Sequence, residues 1–124
     1  MSFYLFIKKR VRSVGYAFAG AARLIATEPS IKVQFFIALV VTAMGIFFDI
    51  TTTEWMIQIV TIAMVMGLEG MNTAVEEIAD FVHPDFHERI GIIKDVAAGG
   101  VFIAAILAAV VGGIIYVPRI WELF

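Results

Sequence analysis

Residues 96–118 form an unbroken run without one charged side chain. Wound into a helix, the run measures about 34 Å, enough to cross the roughly 30 Å hydrocarbon layer of a bilayer. Two more apolar stretches precede it. Residues 33–48 hold only Gln34 and Thr42 as polar members, and residues 55–68 carry no charge. The first is slightly short for a span, but Ile31 extends it and Lys32 can snorkel to the headgroups. The whole chain is 61% hydrophobic, against about 45–50% in an ordinary soluble domain, so the bilayer is the expected solvent.

Three spans with a preface account for all 124 residues. In residues 3–27, Phe3, Ile7, Val11, Val14, Phe18, Ala22 and Ile25 recur at spacings of three and four, which sets them on one helical stripe. Lys8, Lys9, Arg12 and Arg23 fall elsewhere, with Arg10 breaking the pattern. A cationic amphipathic helix of this kind lies in the headgroup layer. Arg12, Ser13, Gly15 and Tyr16 leave no clean apolar core for a cleaved signal, so the segment is expected in the mature protein. The expected fold is therefore all-α and integral to the membrane: one domain, with a surface helix at 1–28 and transmembrane helices at 30–48, 53–82 and 87–118.

Local signals suggest the joints. Pro29 ends the first helix and Ser30 is placed to cap the second. Thr52 or Thr53 is expected to cap the third, with Glu54 and Trp55 at the interface. Only the isolated Gly70 weakens the helix between Leu68 and Phe81, so the third helix continues as an acidic rod until Pro84. The Gly and Ala residues of the last span are suited to close helix packing. Of the nine Lys and Arg, eight lie before Val33 or between Arg89 and Lys94. By the positive-inside rule, that side is cytoplasmic.

Two broad classes drop out early. The chain has no cysteine, so no disulfide or thiolate metal site exists. Its basic residues form no aromatic-interleaved patch, which speaks against a nucleic-acid partner.

The chemistry is concentrated between the two uncharged runs, 55–68 and 96–118. Glu69, Glu76, Glu77, Asp80, Asp85, Glu88 and Asp95 sit there, with Arg89 and Lys94. At about 100° per residue, Glu69, Asn72, Glu76 and Asp80 share one helical face, and Glu77 leaves it. Carboxylates stacked near hydrocarbon repel one another unless a cation compensates. Mg²⁺ is the natural one, since it takes hard oxygen ligands and bridges phosphates. Lys94 and Asp95 enter the last helix at the same depth, where Lys94 can bind phosphate. Thr73, Glu77 and Glu88 read as solvated or packing residues, and His83 as a loop residue. No P-loop and no Gly-rich kinase loop is present. Two other readings compete: a proton or cation conduit along Glu69, Glu76 and Asp80, and a scaffold subunit. A conduit should continue its polar stripe through residues 55–68, where only Gln58 and Thr61 stand.

The pattern Glu69-x-x-Asn72-Thr73-Ala74-Val75-Glu76-x-x-x-Asp80, followed by His87 and by Lys94-Asp95, resembles the small prokaryotic diacylglycerol kinase family, which includes the undecaprenol kinases. The resemblance covers nearly the whole chain. It implies ATP- and Mg²⁺-dependent phosphorylation of a membrane lipid alcohol, undecaprenol or diacylglycerol, at the cytoplasmic face of the bacterial inner membrane. It implies that Glu69 is the general base, that Glu28 and Glu76 hold Mg²⁺-ATP, and that Asn72, Lys94 and Asp95 belong to the phosphate site. Tyr16, Asp80, Asp85 and His87 join the nucleotide site, and the assembly is a homotrimer with active sites shared between subunits. Three departures stand out. Gly70 replaces a bulky residue beside the base, Lys9-Arg10 stands where the diacylglycerol branch has one arginine, and Gln34 replaces an acidic residue of that branch.

Overall fold

The computed structural model describes residues 1–124 as four helices without a strand: α1 (Phe3–Thr27), α2 (Pro29–Phe47), α3 (Thr52–Val82) and α4 (Glu88–Trp121). The last three are long and apolar enough to cross a membrane. α4 is the principal partner of α3, α2 packs on α3 to a lesser extent, and α1 leans on α2.

The joints are tighter than the sequence suggests. Ser30 does not cap α2. Glu28 alone separates the two helices: its N–H donates to Leu24 O at 3.0 Å and its carbonyl accepts from Lys32 N at 3.0 Å. Pro29 fills the first helical position, where its missing N–H is no loss and its fixed φ suits the turn. Ser30 is thereby drawn inside the helix. At the next joint Asp49 takes a positive φ of 49°, which Asp tolerates in tight turns. Thr51, rather than Thr52 or Thr53, then caps α3. Its hydroxyl accepts from Glu54 N at 3.1 Å, while Glu54 Oε1 accepts from Thr51 N at 3.0 Å, a reciprocal capping box. α4 passes Pro118 and ends at Trp121. Only its final turn remains beyond the proline, and Arg119 Nη1 donates back to Ile115 O at 2.7 Å.

The end of the bundle at the α2–α3 turn holds its best-packed cluster. Ile50, Ile115 and Tyr116 are buried there, covered by Val41, Met44, Phe48, Trp55 and Val111. Gly45 lets the Trp55 ring close in, since a Cβ at that position would lie 2.7 Å from a ring carbon. Polar groups at this end are paired with one another. Tyr116 OH donates to Gln58 Oε1 and lies 2.9 Å from Val41 O, while Gln58 Nε2 donates to Val41 O at 3.3 Å. Glu54, expected only as an interface residue, receives both Arg119 Nη1 and Nη2 at 2.8 Å. This fork-to-fork pair ties the start of α3 to the end of α4.

Only 11 of 124 residues are buried, so most of the apolar surface faces outward, as suits lipid or further helices. Gly99, Gly100, Gly112 and Gly113 do not pack the chain's own helices closely: a Cβ on any of them would meet nothing within 4 Å.

Candidate active site

The opposite end of α3 carries the acidic face. Burial falls along it: Glu69 is 9% exposed and Asn72 8%, Glu76 is half-buried, and Asp80 is exposed. The face therefore climbs from the apolar bundle into water within about 16 Å of helix. Thr73 is buried too, and so packs rather than being solvated. Glu77 and Glu88 are exposed.

Glu69 has a partner that its neighbours in sequence do not supply. Gln34 Nε2, from the first turns of α2, donates to Glu69 Oε2 at 3.0 Å. The other half of that amide, Gln34 Oε1, is buried without a partner. Asn72 Nδ2 reaches Glu76 Oε1 at 3.4 Å, and Asn72 Oδ1 is likewise buried and unpartnered. Gly70, beside Glu69, faces Leu24 of α1. A Cβ there would lie 3.1 Å from Leu24 Cδ1, so the missing side chain makes room for the surface helix.

One turn outward, Lys94 Nζ bridges to Asp80 Oδ1 at 2.5 Å. This links α4 to α3 beside a cavity of about 260 Å³ lined by Asp80, His83, Asp85, His87 and Lys94 among others. His83 Nδ1 lies 2.7 Å from Asp85 O. His87 caps α4 by accepting from Arg89 N at 3.1 Å, and the two imidazole rings stand 5.2 Å apart. His83 is thus built into the cavity wall as much as Asp85 and His87 are.

Other expected members stay apart within one chain. Tyr16 is 71% exposed on α1 and does not line this cavity. Asp95 is exposed, and Glu28 is half-buried at the α1–α2 joint. No hydrogen bond or ion pair joins Glu28, Glu76 and Lys94, and no three His, Asp or Glu side chains converge as a metal cluster. Arg10 stacks 5.1 Å from the Phe6 ring, whereas the Lys9 ammonium makes no such contact.

The prokaryotic diacylglycerol kinase model matches residues 15–116. The chain belongs to that family. Among its relatives are the diacylglycerol kinase of Synechocystis sp., 34% identical over 112 residues, and that of Haemophilus influenzae, 30% identical over 107. The undecaprenol kinase of Bacillus subtilis is 28% identical over 109. These alignments cover 90%, 86% and 88% of the chain and 64%, 91% and 89% of the respective relatives. The chain thus spans less than two thirds of the Synechocystis protein and nearly all of the other two. This is a family of lipid kinases, and the relatives are named for two different lipids. Lys8, Lys9, Arg10 and Arg12 lie before the matched range, so the family match does not choose between Lys9 and Arg10.

Proposed function

We propose that the chain transfers the γ-phosphoryl group of ATP to the hydroxyl of a membrane lipid alcohol, undecaprenol or diacylglycerol, at the cytoplasmic face of the inner membrane. The observation that carries this reading is the burial gradient along α3. Glu69 sits buried at the apolar end, and Asp80 with Lys94 sits at the exposed end, beside a cavity sized for part of a polar ligand.

Each residue has a role in that scheme. Glu69, held by Gln34, takes the proton from the lipid hydroxyl. The freed oxygen bonds to the γ-phosphorus as the bond from that phosphorus to the β–γ bridging oxygen breaks, and ADP leaves. Such a transfer asks the protein for alignment and charge neutralisation more than for covalent chemistry. Lys94 supplies a cation, Asn72 an amide, and Asp95 orients this phosphate site. Tyr16, Asp80, Asp85 and His87 contact the nucleotide. Mg²⁺ suits Glu28 and Glu76: one or two carboxylates plus phosphate oxygens make its usual shell, and Glu76 Oε2 and both Glu28 oxygens carry no hydrogen bond within the chain. Bound there, the ion would neutralise phosphate charge. Glu28, Tyr16 and Asp95 stand apart in one chain, which favours sites completed between copies of a homotrimer.

The conduit reading is weaker. Between Gln58 and Glu69 the space beside α3 is walled mainly by aliphatic side chains.

The test uses purified full-length protein in nanodiscs with labelled ATP, Mg²⁺ and each lipid. Glu69→Gln should lower lipid phosphorylation by about 10²–10⁴-fold, the usual worth of a general base, with ATP affinity retained. Near-normal phosphorylation by the variant removes Glu69 as base. Wild-type protein that phosphorylates neither lipid defeats the reading itself.

A further inference from the structure

The joint between α3 and α4 supplies His83, Asp85, Phe86 and His87 to the wall of the cavity of about 260 Å³. Lys94 lines the same cavity seven residues past His87, about 10 Å along the α4 axis. The cavity therefore has a joint end and a lysine end. His83 is the one histidine of the chain's two that the phosphoryl-transfer scheme leaves idle. It is also the more enclosed: His83 is half-buried, whereas His87 is exposed.

The two imidazoles are of opposite hydrogen-bonding sense. His83 Nδ1 lies 2.7 Å from Asp85 O. A carbonyl can only accept, so Nδ1 carries the hydrogen and Nε2 of the neutral ring is a bare acceptor. His87 is the reverse. Its Nδ1 accepts from Arg89 N at 3.1 Å, which puts the hydrogen on Nε2 and makes that atom a donor. Neither Nε2 has a hydrogen-bond partner within the chain, and the ring centroids stand 5.2 Å apart. A metal ion is a poor match for this pair. It would need a bare nitrogen from each ring, and no third His, Asp or Glu converges on them. A phosphate is a poor match too, since it asks for donors, and Asp80 and Asp85 line the same wall.

One acceptor beside one donor fits the edge of a heteroaromatic ring that carries an amine next to a ring nitrogen. The amine donates and the ring nitrogen accepts, as on adenine. Phe86, 91% exposed yet part of the cavity wall, offers an aromatic surface to such a planar ring.

We propose that His83 reads the exocyclic amine of the nucleotide's base through Nε2, while His87 Nε2–H meets a ring nitrogen beside it. The base then lies at the joint end, and its phosphates extend along α4 toward Lys94. The inference rests on the nucleotide site of the kinase reading. It adds His83 as a specificity-determining residue, and it makes the amine, rather than the purine ring alone, the recognised feature.

Equilibrium binding tests this without turnover. Full-length protein in nanodiscs, with Mg²⁺ and no lipid alcohol, is titrated with ATP and with purine riboside triphosphate, which keeps the ring nitrogens and lacks the amine. Wild-type protein should bind ATP about tenfold more tightly, equivalent to roughly 1.4 kcal/mol. His83→Phe keeps an aromatic ring without a nitrogen. It should bring ATP down to the affinity of the amine-free nucleotide and leave the latter's own affinity unchanged, which also shows that the cavity is intact. Equal affinity of wild-type protein for the two nucleotides overturns the proposal. So does a His83→Phe protein in which both affinities fall together, the mark of a residue that only shapes the joint. An amine preference that survives His83→Phe assigns the reading to another group and overturns it as well. Lipid phosphorylation by a protein without the preference would leave the kinase reading standing and remove His83 from recognition. The preference, lost in His83→Phe, in a protein that phosphorylates neither lipid would do the reverse.

Discussion

The two ends of the bundle treat polar groups in opposite ways. At the α2–α3 turn the buried and half-buried polar side chains are spent on other parts of the chain: Tyr116 on Gln58 and Val41, Glu54 on Thr51 and Arg119. Around Glu69 the accounts stay open. Both buried side-chain atoms that lack a partner, Gln34 Oε1 and Asn72 Oδ1, lie there, and Glu76 keeps a free oxygen. Closed networks hold helices together, whereas open ones leave acceptors that water, another copy of the chain or a ligand can meet. The contrast separates satisfied from unsatisfied polarity in a chain where both occur on the same helices.

That contrast can be broken experimentally. The largest effect is expected at the open end. Lys94→Met should lower turnover by about 100-fold or more, the scale seen when one donor to a developing anion is removed. Its unfolding midpoint in detergent should not move, since the Asp80 bridge is largely exposed and such pairs contribute little. A midpoint that falls in step with activity would place Lys94 among the structural pairs. At the closed end, Gly45→Ala drives a methyl into the Trp55 ring. It should cost about 1–3 kcal/mol in equilibrium unfolding and leave the activity of the folded fraction intact. Tyr116→Phe strands the Gln58 carbonyl in the core and should cost about 1–2 kcal/mol by the same measurement. An unchanged stability would show that the hydroxyl network is dispensable. Smallest is Gly70→Ala. The facing Leu24 methyl can swing aside and the helix gains propensity, so the net change should stay under about 1 kcal/mol. Faster amide exchange near Leu24 should be its clearest trace.

Much of the architecture is legible in the sequence because lipid simplifies the code. Apolar runs and charge asymmetry mark the helices, and α3 runs through Gly70 as its pattern requires. The acid ladder is legible for the same reason, since a single helix fixes the relative positions of Glu69, Asn72, Glu76 and Asp80. Contacts between helices are not. Gln34 meets Glu69 across 35 positions and Arg119 meets Glu54 across 65, and no periodicity encodes either pairing. A partial signal did exist: an amide in an apolar span needs a partner, so Gln34 and Gln58 each announce a contact without naming it. The caps shifted for local reasons, Pro29 needing no capping residue ahead of it and Thr51 finding Glu54 at the right spacing.

One consequence follows from the uninterrupted course of α3. Its 31 residues extend about 46 Å, well beyond the roughly 30 Å oily interior of a bilayer. The surplus carries a stiff, calibrated rule out of the oil and into the aqueous phase. A reagent dissolved in one phase and a reagent dissolved in the other can then be brought to marks on the same rule. Neither has to leave the solvent it prefers.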